Sequence, residues 1–533
     1  MPLLWATKMC SILWYSFAAA EVILPRCKEA PLEIAVYDYP DLQDRDALHQ
    51  FWLRHLGRAQ HLVVVLSEKT YINAWASALS KHEFPFLKTL AFDLLDCEAE
   101  KGVPQFVQIL DGSIPPPSAP KLQDLRLDGV FIPWNTASLT EVYIERHPYM
   151  PLQAIPKASQ FLDFLSQNPY LKSLRTSMVP GFPGSQSKDT VIIDLPYLDE
   201  LMLCDDDLAP CLSLFQRINM PSTASISITL KRWACVTVDA HVPDMRTFTE
   251  ALSAHISKAD CLRSLSIVEN EEFLAFRLAS DLCFNAPEQG MFHDYTPRSY
   301  STVELAIDAE SVGWSQVPSR CCSLEILNVL RARIDLSGLE ALSLRSVEVS
   351  SEGRLFSQEQ EEWVSALCTL KSVHTLALQQ AACDDPVFMG AFCSPPHAVI
   401  GMSYPQSPLV LPKLRTLRLK VDSSERDPFS PEGALASSLM HRTVMGQIMR
   451  KVELDIRDTA KSVEEVRAMI LRADRWIAAE NLRPCLPEGC EVYLWGVLID
   501  QWQSGCDRPT LTEVALSQFG YSRERRMLLY GAL

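Results

Sequence analysis

The stretch KLQDLRLDG at residues 121–129 is the most informative part of the sequence for the fold, because it shows most clearly a pattern that recurs along the chain, called the phrase below. The phrase is an apolar residue, two others, an apolar residue, one other and an apolar residue. Its anchors here are Leu122, Leu125 and Leu127. The last two anchors lie two residues apart, so on a strand they face the same side. The first lies three residues earlier, which suits a bend that leads into the strand.

Six further stretches carry the same phrase. They are YLDELMLC (anchors Leu198, Leu201, Leu203), CLRSLSIV (Leu262, Leu265, Ile267), SLEILNVL (Leu324, Leu327, Val329), GLEALSLRSV (Leu339, Leu342, Leu344), VHTLALQ (Val373, Leu376, Leu378) and KLRTLRLK (Leu414, Leu417, Leu419). One unit cannot bury its own apolar face, whereas stacked units can. The phrase therefore predicts an α/β protein, an irregular leucine-rich-repeat solenoid (horseshoe) with strand-helix repeats. Such a fold indicates a binding scaffold and does not say what is bound.

The repeats are unevenly spaced. Successive anchors at Leu87, Leu122, Leu139, Leu171 and Leu198 lie 35, 17, 32 and 27 residues apart. Regular leucine-rich repeats run about 20–29 residues, so this array is irregular, with short and long connections between its strands.

Local patterns between the phrases predict individual elements. Alternating or continuous apolar runs predict strands at residues 31–37, 61–68, 138–145 and 491–500. Apolar residues at helical spacing predict helices at residues 46–58 and 462–480, and a third that ends near Asn168-Pro169.

Composition limits the classes of partner and the cellular compartment. The chain has 533 residues, 47% of them hydrophobic, and a formal net charge of −17, which predicts no nucleic-acid partner because an acidic surface repels phosphate. Its sixteen cysteines are scattered without a CxxC pair, so most are interpreted as buried thiols in a reducing compartment. The sequence contains no Asn-x-Ser/Thr acceptor. We therefore predict a cytoplasmic and/or nuclear protein.

The N-terminal segment imitates a secretion signal. Residues 9–20 are uncharged and mostly apolar, follow Lys8 and end in three alanines, but the run is too short to span a bilayer. No other stretch approaches the ~20 apolar residues of a membrane span, so no membrane partner is predicted. A secreted leucine-rich receptor stays open as an alternative, and disulfides among the cysteines would support it.

The side chains that carry chemistry form no recognised motif. Asp205, Asp206 and Asp207 are interpreted as a solvated loop, because no glycine turn or spaced acidic ladder accompanies them. The sequence has no Gly-x-Ser-x-Gly elbow, no GxxxxGK[ST] and no GxGxxG. Four histidines are considered as zinc ligands, and none of them pairs with another histidine or a cysteine at zinc spacing: His147, His241, His293 and His397.

We therefore predict no enzyme and assign no catalytic, cofactor-binding or metal-binding residue, with an enzyme of dispersed site as the alternative from another class. The partner-binding residues are unknown from the pattern. Six tryptophans are interpreted as packing residues: Trp52, Trp75, Trp134, Trp233, Trp314 and Trp363.

Two N-terminal stretches carry a resemblance to a known family. PLLWATK (residues 2–8), followed by LPRCKEAPLEIAV (residues 24–36), resembles a junction in fungal, mushroom-type F-box / leucine-rich-repeat proteins, where an F-box ends in a P-x-LWA phrase and a helix with an RSKxAPL phrase follows. Cys27 stands where serine is usual. The later APKLQDLRLDGV, LPYLDELML and LPKLRTLRLK look like that family's strand phrases, so the resemblance extends to about residue 456.

The resemblance implies a role and a division of the chain. In such proteins the box docks on a Skp-type adaptor of a cullin ubiquitin ligase, and the leucine-rich part binds a protein substrate. This chain begins at the closing phrase of the box, so it is expected to be truncated or to have lost the box, and adaptor binding is expected only if an upstream F-box exists. The implied regions are a remnant of the F-box end and linking helix (1–30), an irregular leucine-rich-repeat array (31–456) and a C-terminal helix/strand cap and tail (457–533).

The resemblance therefore implies a non-catalytic protein-recognition scaffold, without a cofactor, like the substrate-binding part of an F-box subunit. The substrate's identity is not implied. The alternative is a box-less leucine-rich-repeat interaction scaffold unrelated to ubiquitin.

Overall fold

A computed structural model gives the fold in two compact units, Met1–Lys231 and Arg232–Leu533. The residues that it describes are 2–6, 17–37, 45–94, 114–146, 155–177, 179–180, 191–231, 242–258, 262–269, 273–280, 302–308, 322–345, 356–379, 386–393, 410–422, 435, 439, 442–443, 447, 449–457, 486, 489–494 and 497–498. The boundary between the units falls inside the predicted array at 31–456, and the three predicted regions stay a prediction.

The first unit alternates strands and helices. Its strands are β1 (Leu32–Tyr37), β2 (Ala59–Leu66), β3 (Thr89–Leu94), β4 (Asp124–Asp128), β5 (Glu141–Glu145), β6 (Ser173–Thr176), β7 (Ile193–Asp194), β8 (Glu200–Asp205), β9 (Ile218–Asn219) and β10 (Ser225–Lys231). Its helices are α1 (Phe17–Cys27), α2 (Arg45–His55), a 3₁₀ turn (Leu56–Arg58), α3 (Lys69–Leu79), α4 (Ala158–Ser166) and α5 (Leu208–Phe215).

The second unit has the same kinds of element. Its strands are β11 (Ser264–Glu269), β12 (Phe273–Ala279), β13 (Thr302–Asp308), β14 (Ala341–Arg345), β15 (Thr375–Gln379), β16 (Thr416–Asp422), β17 (Lys451–Arg457), β18 (Glu491–Leu494) and β19 (Val497–Leu498). Its helices are α6 (Val242–Lys258), α7 (Cys322–Arg331), α8 (Phe356–Cys368) and α9 (Pro386–Cys393).

Eight strands of the first unit form one parallel ladder, in the order β1-β2-β3-β4-β5-β6-β8-β10. Strands β7 and β9 form a separate parallel pair. Strands that pair in the ladder also follow one another along the chain, except that β7 and β9 are skipped. The predicted α/β class is confirmed, with parallel pairing and, among the described strands, no closed barrel.

The register places the anchors of successive repeats side by side. Leu90, Leu125, Val142, Leu174 and Leu201 are direct partners from β3 to β8, and all are fully or almost fully buried. Neighbouring strands lie ~4.8 Å apart, so these side chains make a continuous apolar column. Burying one leucine contributes roughly 1.5–3 kcal/mol, which is why the phrase recurs at each strand.

Helix α4 packs its aromatic side chains against the segment that follows β4. Its buried residues Phe161 and Phe164 contact Phe131 with ring centroids 5.8 and 5.6 Å away. The side-chain amide of the buried Asn168 then donates to the Phe164 backbone carbonyl at 2.8 Å. The backbone carbonyl of Asn168 accepts a hydrogen bond from the Leu171 amide. The predicted end of this helix near Asn168 is confirmed.

The second unit departs from a purely parallel ladder. Its order is β13-β12-β11-β14-β15-β16-β17-β18-β19, and β12 pairs antiparallel with both β11 and β13. From β11 to β18 through β14 the pairing is parallel. There Leu342, Leu376, Leu417 and Val452 form an anchor column like that of the first unit.

Two sequence predictions are wrong. SLEILNVL lies in helix α7 and not in a strand, because its buried residues Leu324, Leu327 and Leu330 recur every three positions. The strand predicted at 491–500 is two short antiparallel strands, β18 and β19, with Leu494 opposite Val497.

Other predicted elements agree with the structure. The strands at 31–37, 61–68 and 138–145 correspond to β1, β2 and β5, and the helix at 46–58 corresponds to α2 with its 3₁₀ turn. The helix predicted at 462–480 lies outside the described residues. In the described part of the chain, no helix has the length and apolar character needed to cross a membrane.

Candidate interaction surface

The first unit has an open face, on the side of its ladder opposite the anchor columns. Side chains alternate across a strand, so the positions between buried anchors point to this face. On β3 to β6 they are mostly polar and at least partly exposed, and on β8 Glu200 is partly exposed whereas Met202 and Cys204 are buried. We define the open face as Asp93, Asp124, Arg126, Asp128, Glu141, Tyr143, Glu145, Arg175 and Glu200.

A row of carboxylates crosses three adjacent strands of the open face. Asp93, Asp128 and Glu145 are direct partners in the register of β3, β4 and β5. Burial, followed by the charges of Asp93 and Glu145, raises the pKa of Asp128 to about 7. Burial and the neighbouring Glu141 also raise the pKa of Asp124. The open face therefore favours a cation or a proton beside these carboxylates.

An arginine and a tyrosine lie beside this row. The Arg126 guanidinium lies 4.8 Å from the ring centroid of Tyr143, which is the cation–π range. The Tyr143 hydroxyl donates a hydrogen bond to Glu145. Burial, together with this carboxylate, raises the pKa of Tyr143 above its usual range, so its hydroxyl keeps its proton at neutral pH. Tyrosine and arginine are the residue types on which protein interfaces most often depend.

The next two strands carry an ion pair. Arg175 on β6 donates from Nε and Nη2 to the same oxygen of Glu200 on β8, at 3.0 and 2.8 Å. Ser173 donates to that oxygen as well, at 2.9 Å. The open face therefore combines paired and clustered charges on a rigid parallel ladder.

The second unit carries a different row, which we call the lead row: Arg263, Glu340, His374, Arg415 and Arg450. Each of these residues comes directly before a strand. The backbone N–H of each of the last four donates to the carbonyl of the preceding member, at 2.8–2.9 Å. The five residues therefore occupy consecutive rungs of the ladder.

Glu340 lies at the centre of an ion cluster in the lead row. Arg263 donates to its two oxygens at 2.9 and 2.8 Å, and His374 Nε2 lies 3.1 Å from the second oxygen. The hydrogen bond from Arg263, followed by that of His374, lowers the pKa of Glu340 to about 2. Side chains of the lead row therefore reach one another across neighbouring rungs.

The residues singled out in the sequence fall at separate places. The interpretation of the three aspartates as a solvated loop is wrong for Asp205, which ends β8 half-buried, and burial raises its pKa to about 6. Asp206 and Asp207 are exposed before α5. Of the six tryptophans singled out in the sequence, the four within the described residues are buried: Trp52, Trp75, Trp134 and Trp363. The four candidate histidines and two tryptophans lie outside the described residues: His147, His241, His293, His397, Trp233 and Trp314.

Five cysteines whose side chains the structure describes are free thiols: Cys27, Cys204, Cys211, Cys368 and Cys490. The first three of these are buried. Burial raises the pKa of Cys27 and of Cys211, so both thiols keep their protons at neutral pH. This agrees with their interpretation as small apolar core residues.

Sequence reasoning missed the open face and the lead row. The signal was present, because the residues between the last two anchors of each phrase alternate with buried ones. Their register could not be predicted from the sequence, because the spacing between successive anchors varies from 17 to 35 residues. This variation hides which side chains become neighbours on adjacent strands.

Rows of charged and aromatic side chains on a rigid sheet are suited to binding an extended partner surface. Among the described residues, no group of three or more histidine, cysteine, aspartate or glutamate side chains is arranged to hold a metal ion. Comparison with models of known protein families and with curated proteins finds no match to this chain.

Proposed function

We propose that this chain is a non-catalytic protein-recognition scaffold, an irregular leucine-rich-repeat solenoid that binds a protein substrate through its open face. The observation that carries the proposal is the division of the first unit's ladder into a buried anchor side and a polar side. Anchor residues hold the strands in register, and the register places Arg126, Tyr143 and the carboxylates beside one another.

Preorganisation supports a binding role. Side chains on packed strands lose little conformational entropy when a partner docks, which improves affinity for a given contact area. Tyr143 and Arg126 already restrain each other, and Arg175 is fixed by Glu200. These residues are the contact points that we propose for the partner.

The N-terminal contacts support kinship with F-box subunits of cullin-type ubiquitin ligases. The two phrases of that resemblance contact each other, since the Arg26 guanidinium lies 5.8 Å from the Trp5 ring centroid. Ala6 and Cys27 from the same phrases are buried. In this proposal the ligase chemistry belongs to partner subunits, and a Skp-type adaptor binds only where an F-box precedes the phrase. A box-less scaffold unrelated to ubiquitin is the alternative.

Affinity capture with face-specific variants tests the proposal. Tagged wild-type chain would be cross-linked in cells and its partners quantified beside R126A/Y143A/R175A and a control, R54A/D163A, which alters exposed helical positions. We expect the face variant to lose the substrate at least tenfold and the control to retain it. Equal recovery with all three chains would contradict recognition through the open face.

The same capture separates the two forms of the scaffold. Recovery of a Skp-type adaptor and a cullin with the chain supports the ubiquitin-ligase form. Recovery of a face-dependent partner without the adaptor supports the box-less form.

A further inference from the structure

We infer that the second unit binds a carboxylate-rich peptide segment of a partner through a basic patch, defined as Arg415, Arg418, Arg450 and Lys451. The inference rests on the proposed role as a protein-recognition scaffold and names the chemistry of one partner segment. The patch stands out because the chain as a whole has a net charge of −17.

The patch is built from consecutive rungs of the ladder. The Arg415 amide donates to the His374 carbonyl at 2.9 Å, and the Arg450 amide donates to the Arg415 carbonyl at 2.8 Å. Arg415 and Arg450 are therefore strand neighbours, ~4.8 Å apart at the backbone. Both side chains are exposed.

The other end of the lead row shows how such rungs hold a carboxylate. Glu340 receives a two-pronged contact from Arg263 on one neighbouring rung, and His374 approaches it from the other. Hydrogen bonds from Arg263, and then from His374, lower the pKa of Glu340 to about 2, so these two side chains stabilise its anion. Arg415 and Arg450 continue the row with two cations and no carboxylate between them.

Those two arginines lack a charged or hydrogen-bonding side-chain partner within the described residues. The nearby cations are already engaged, because Arg418 lies 2.5 Å from Glu453 and Lys451 pairs with the same carboxylate. Glu491 is exposed opposite Lys451 in the register of β17 and β18. Among the residues that the structure describes here, four cations (Arg415, Arg418, Arg450, Lys451) and two carboxylates (Glu453, Glu491) give a net positive charge.

A peptide carrying aspartate or glutamate fits this patch better than a long polyanion. The guanidinium fork matches a carboxylate in a two-pronged geometry, and two neighbouring guanidinium groups repel until an anion lies between them. Carboxylates two residues apart in an extended segment stand ~6.8 Å apart, which two long side chains on adjacent strands can span. Nucleic acid would place many phosphates against a chain of net charge −17, which opposes binding.

A fluorescence-anisotropy titration of the full chain tests the inference. The probe is a labelled twelve-residue peptide with four glutamates separated by glycine and serine, and its matched peptide has glutamines instead. The variants are R415Q/R450Q and, as a control, K88Q/K172Q, which removes two exposed lysines at the equivalent pre-strand positions of the first unit. A third variant, R415K/R450K, keeps the charge and loses the fork.

We expect the glutamate peptide to bind, and its affinity to fall at least tenfold in R415Q/R450Q and less than twofold in K88Q/K172Q. Affinity in R415K/R450K should be intermediate, and binding should weaken as salt rises from 0.05 to 0.3 M, because exposed ion pairs are screened. The glutamine peptide should show at least tenfold weaker binding. Urea midpoints within error of wild type confirm that the variants are folded.

Three results would overturn the inference: no binding of the glutamate peptide by wild type, equal loss in the two glutamine double variants, or equal binding of the glutamine peptide. Displacement of the peptide by a twelve-nucleotide oligothymidine at lower concentration than by unlabelled peptide would overturn it as well. If the peptide fails while a cellular partner still depends on Arg126, Tyr143 and Arg175, the basic patch is rejected and the recognition scaffold stands.

Discussion

The carboxylate row of the first unit and the lead row of the second differ in their order of charges. In the first, Asp93, Asp128 and Glu145 follow one another, and the pKa of Asp128 rises to about 7. In the second, Glu340 lies between Arg263 and His374, and its pKa falls to about 2. Both rows lie on parallel ladders with the same strand spacing, so the sign of the neighbours and the degree of burial decide the proton affinity of a carboxylate.

One repeat architecture can therefore support opposite binding preferences. Anchor columns fix the spacing, and the residues on the open face and in the lead row set the charge pattern. The first unit's open face favours cationic partner groups, while the end of the lead row at Arg415 and Arg450 favours anionic ones.

The largest expected effect concerns the buried anchor columns, which both units have. Leu125→Ala in the first unit and Leu376→Ala in the second each remove a fully buried anchor, so each should destabilise the protein by about 3 kcal/mol. Urea denaturation followed by circular dichroism measures this, and Gln123→Ala, at an exposed pre-strand position, serves as the control. A change below about 1 kcal/mol in either unit would mean that its anchor column is not the core.

The next largest effect is expected for the ion cluster at Glu340 in the second unit. Glu340→Gln should lower stability at pH 7 by about 1 kcal/mol, because exposed ion pairs contribute modestly. The folded pKa of about 2 lies below the ordinary 4.5, so the contribution of Glu340 is present above pH 4.5 and is lost as pH falls towards 2. Thermal melts of both proteins between pH 7 and 3 should therefore converge. A constant difference across that range would contradict the assignment.

The opposite sign is expected in the first unit. Asp128→Asn should raise stability by about 1 kcal/mol at pH 8, after discounting the pKa shift for partial exposure. Wild type is favoured with Asp128 protonated, so its stability falls as pH rises from the ordinary 3.8 through about 7, and the advantage of the variant should appear in that window. Melts at pH 4, 6 and 8 measure it, with Asp163→Asn as the exposed control. A stability gain that is equal at all three values would contradict the carboxylate row.

The smallest effect concerns an exposed aromatic pair in the first unit. Tyr170 and Tyr197 precede the anchors Leu171 and Leu198 and stack with ring centroids 5.7 Å apart, each more than half exposed. Tyr170→Ala/Tyr197→Ala should cost about 0.5 kcal/mol, because little area is buried between the rings. A loss above about 2 kcal/mol would show that the pair stabilises the fold and is not a surface feature.

The anchor phrase predicted β4, β8, β11, β14, β15 and β16, because two apolar residues two apart beside a third specify a half-buried strand. It failed at Leu324, where leucines at three-residue spacing satisfy a helix as well as the phrase. Strands β12 and β13 carry no phrase and add antiparallel pairings that periodicity did not indicate.

The interaction surfaces were harder to predict from the sequence than the fold. Asp128 and Glu145 are 17 residues apart in sequence, and Arg415 and Arg450 are 35 apart, yet each pair occupies neighbouring rungs. Only the register brings them together, and loops of unequal length conceal that register from a single sequence.

Carboxyl footprinting of the chain, free and cross-linked to its captured partner, tests whether the partner binds through the open face. Carbodiimide-driven labelling, read by mass spectrometry, reports the accessibility of each aspartate and glutamate. Recognition through the open face predicts that labelling of Asp124 and Glu141 falls severalfold in the complex, while Asp163 on α4 and Glu21 on α1 keep theirs. Protection of Asp163 and Glu21 with unchanged labelling of Asp124 and Glu141 would contradict it.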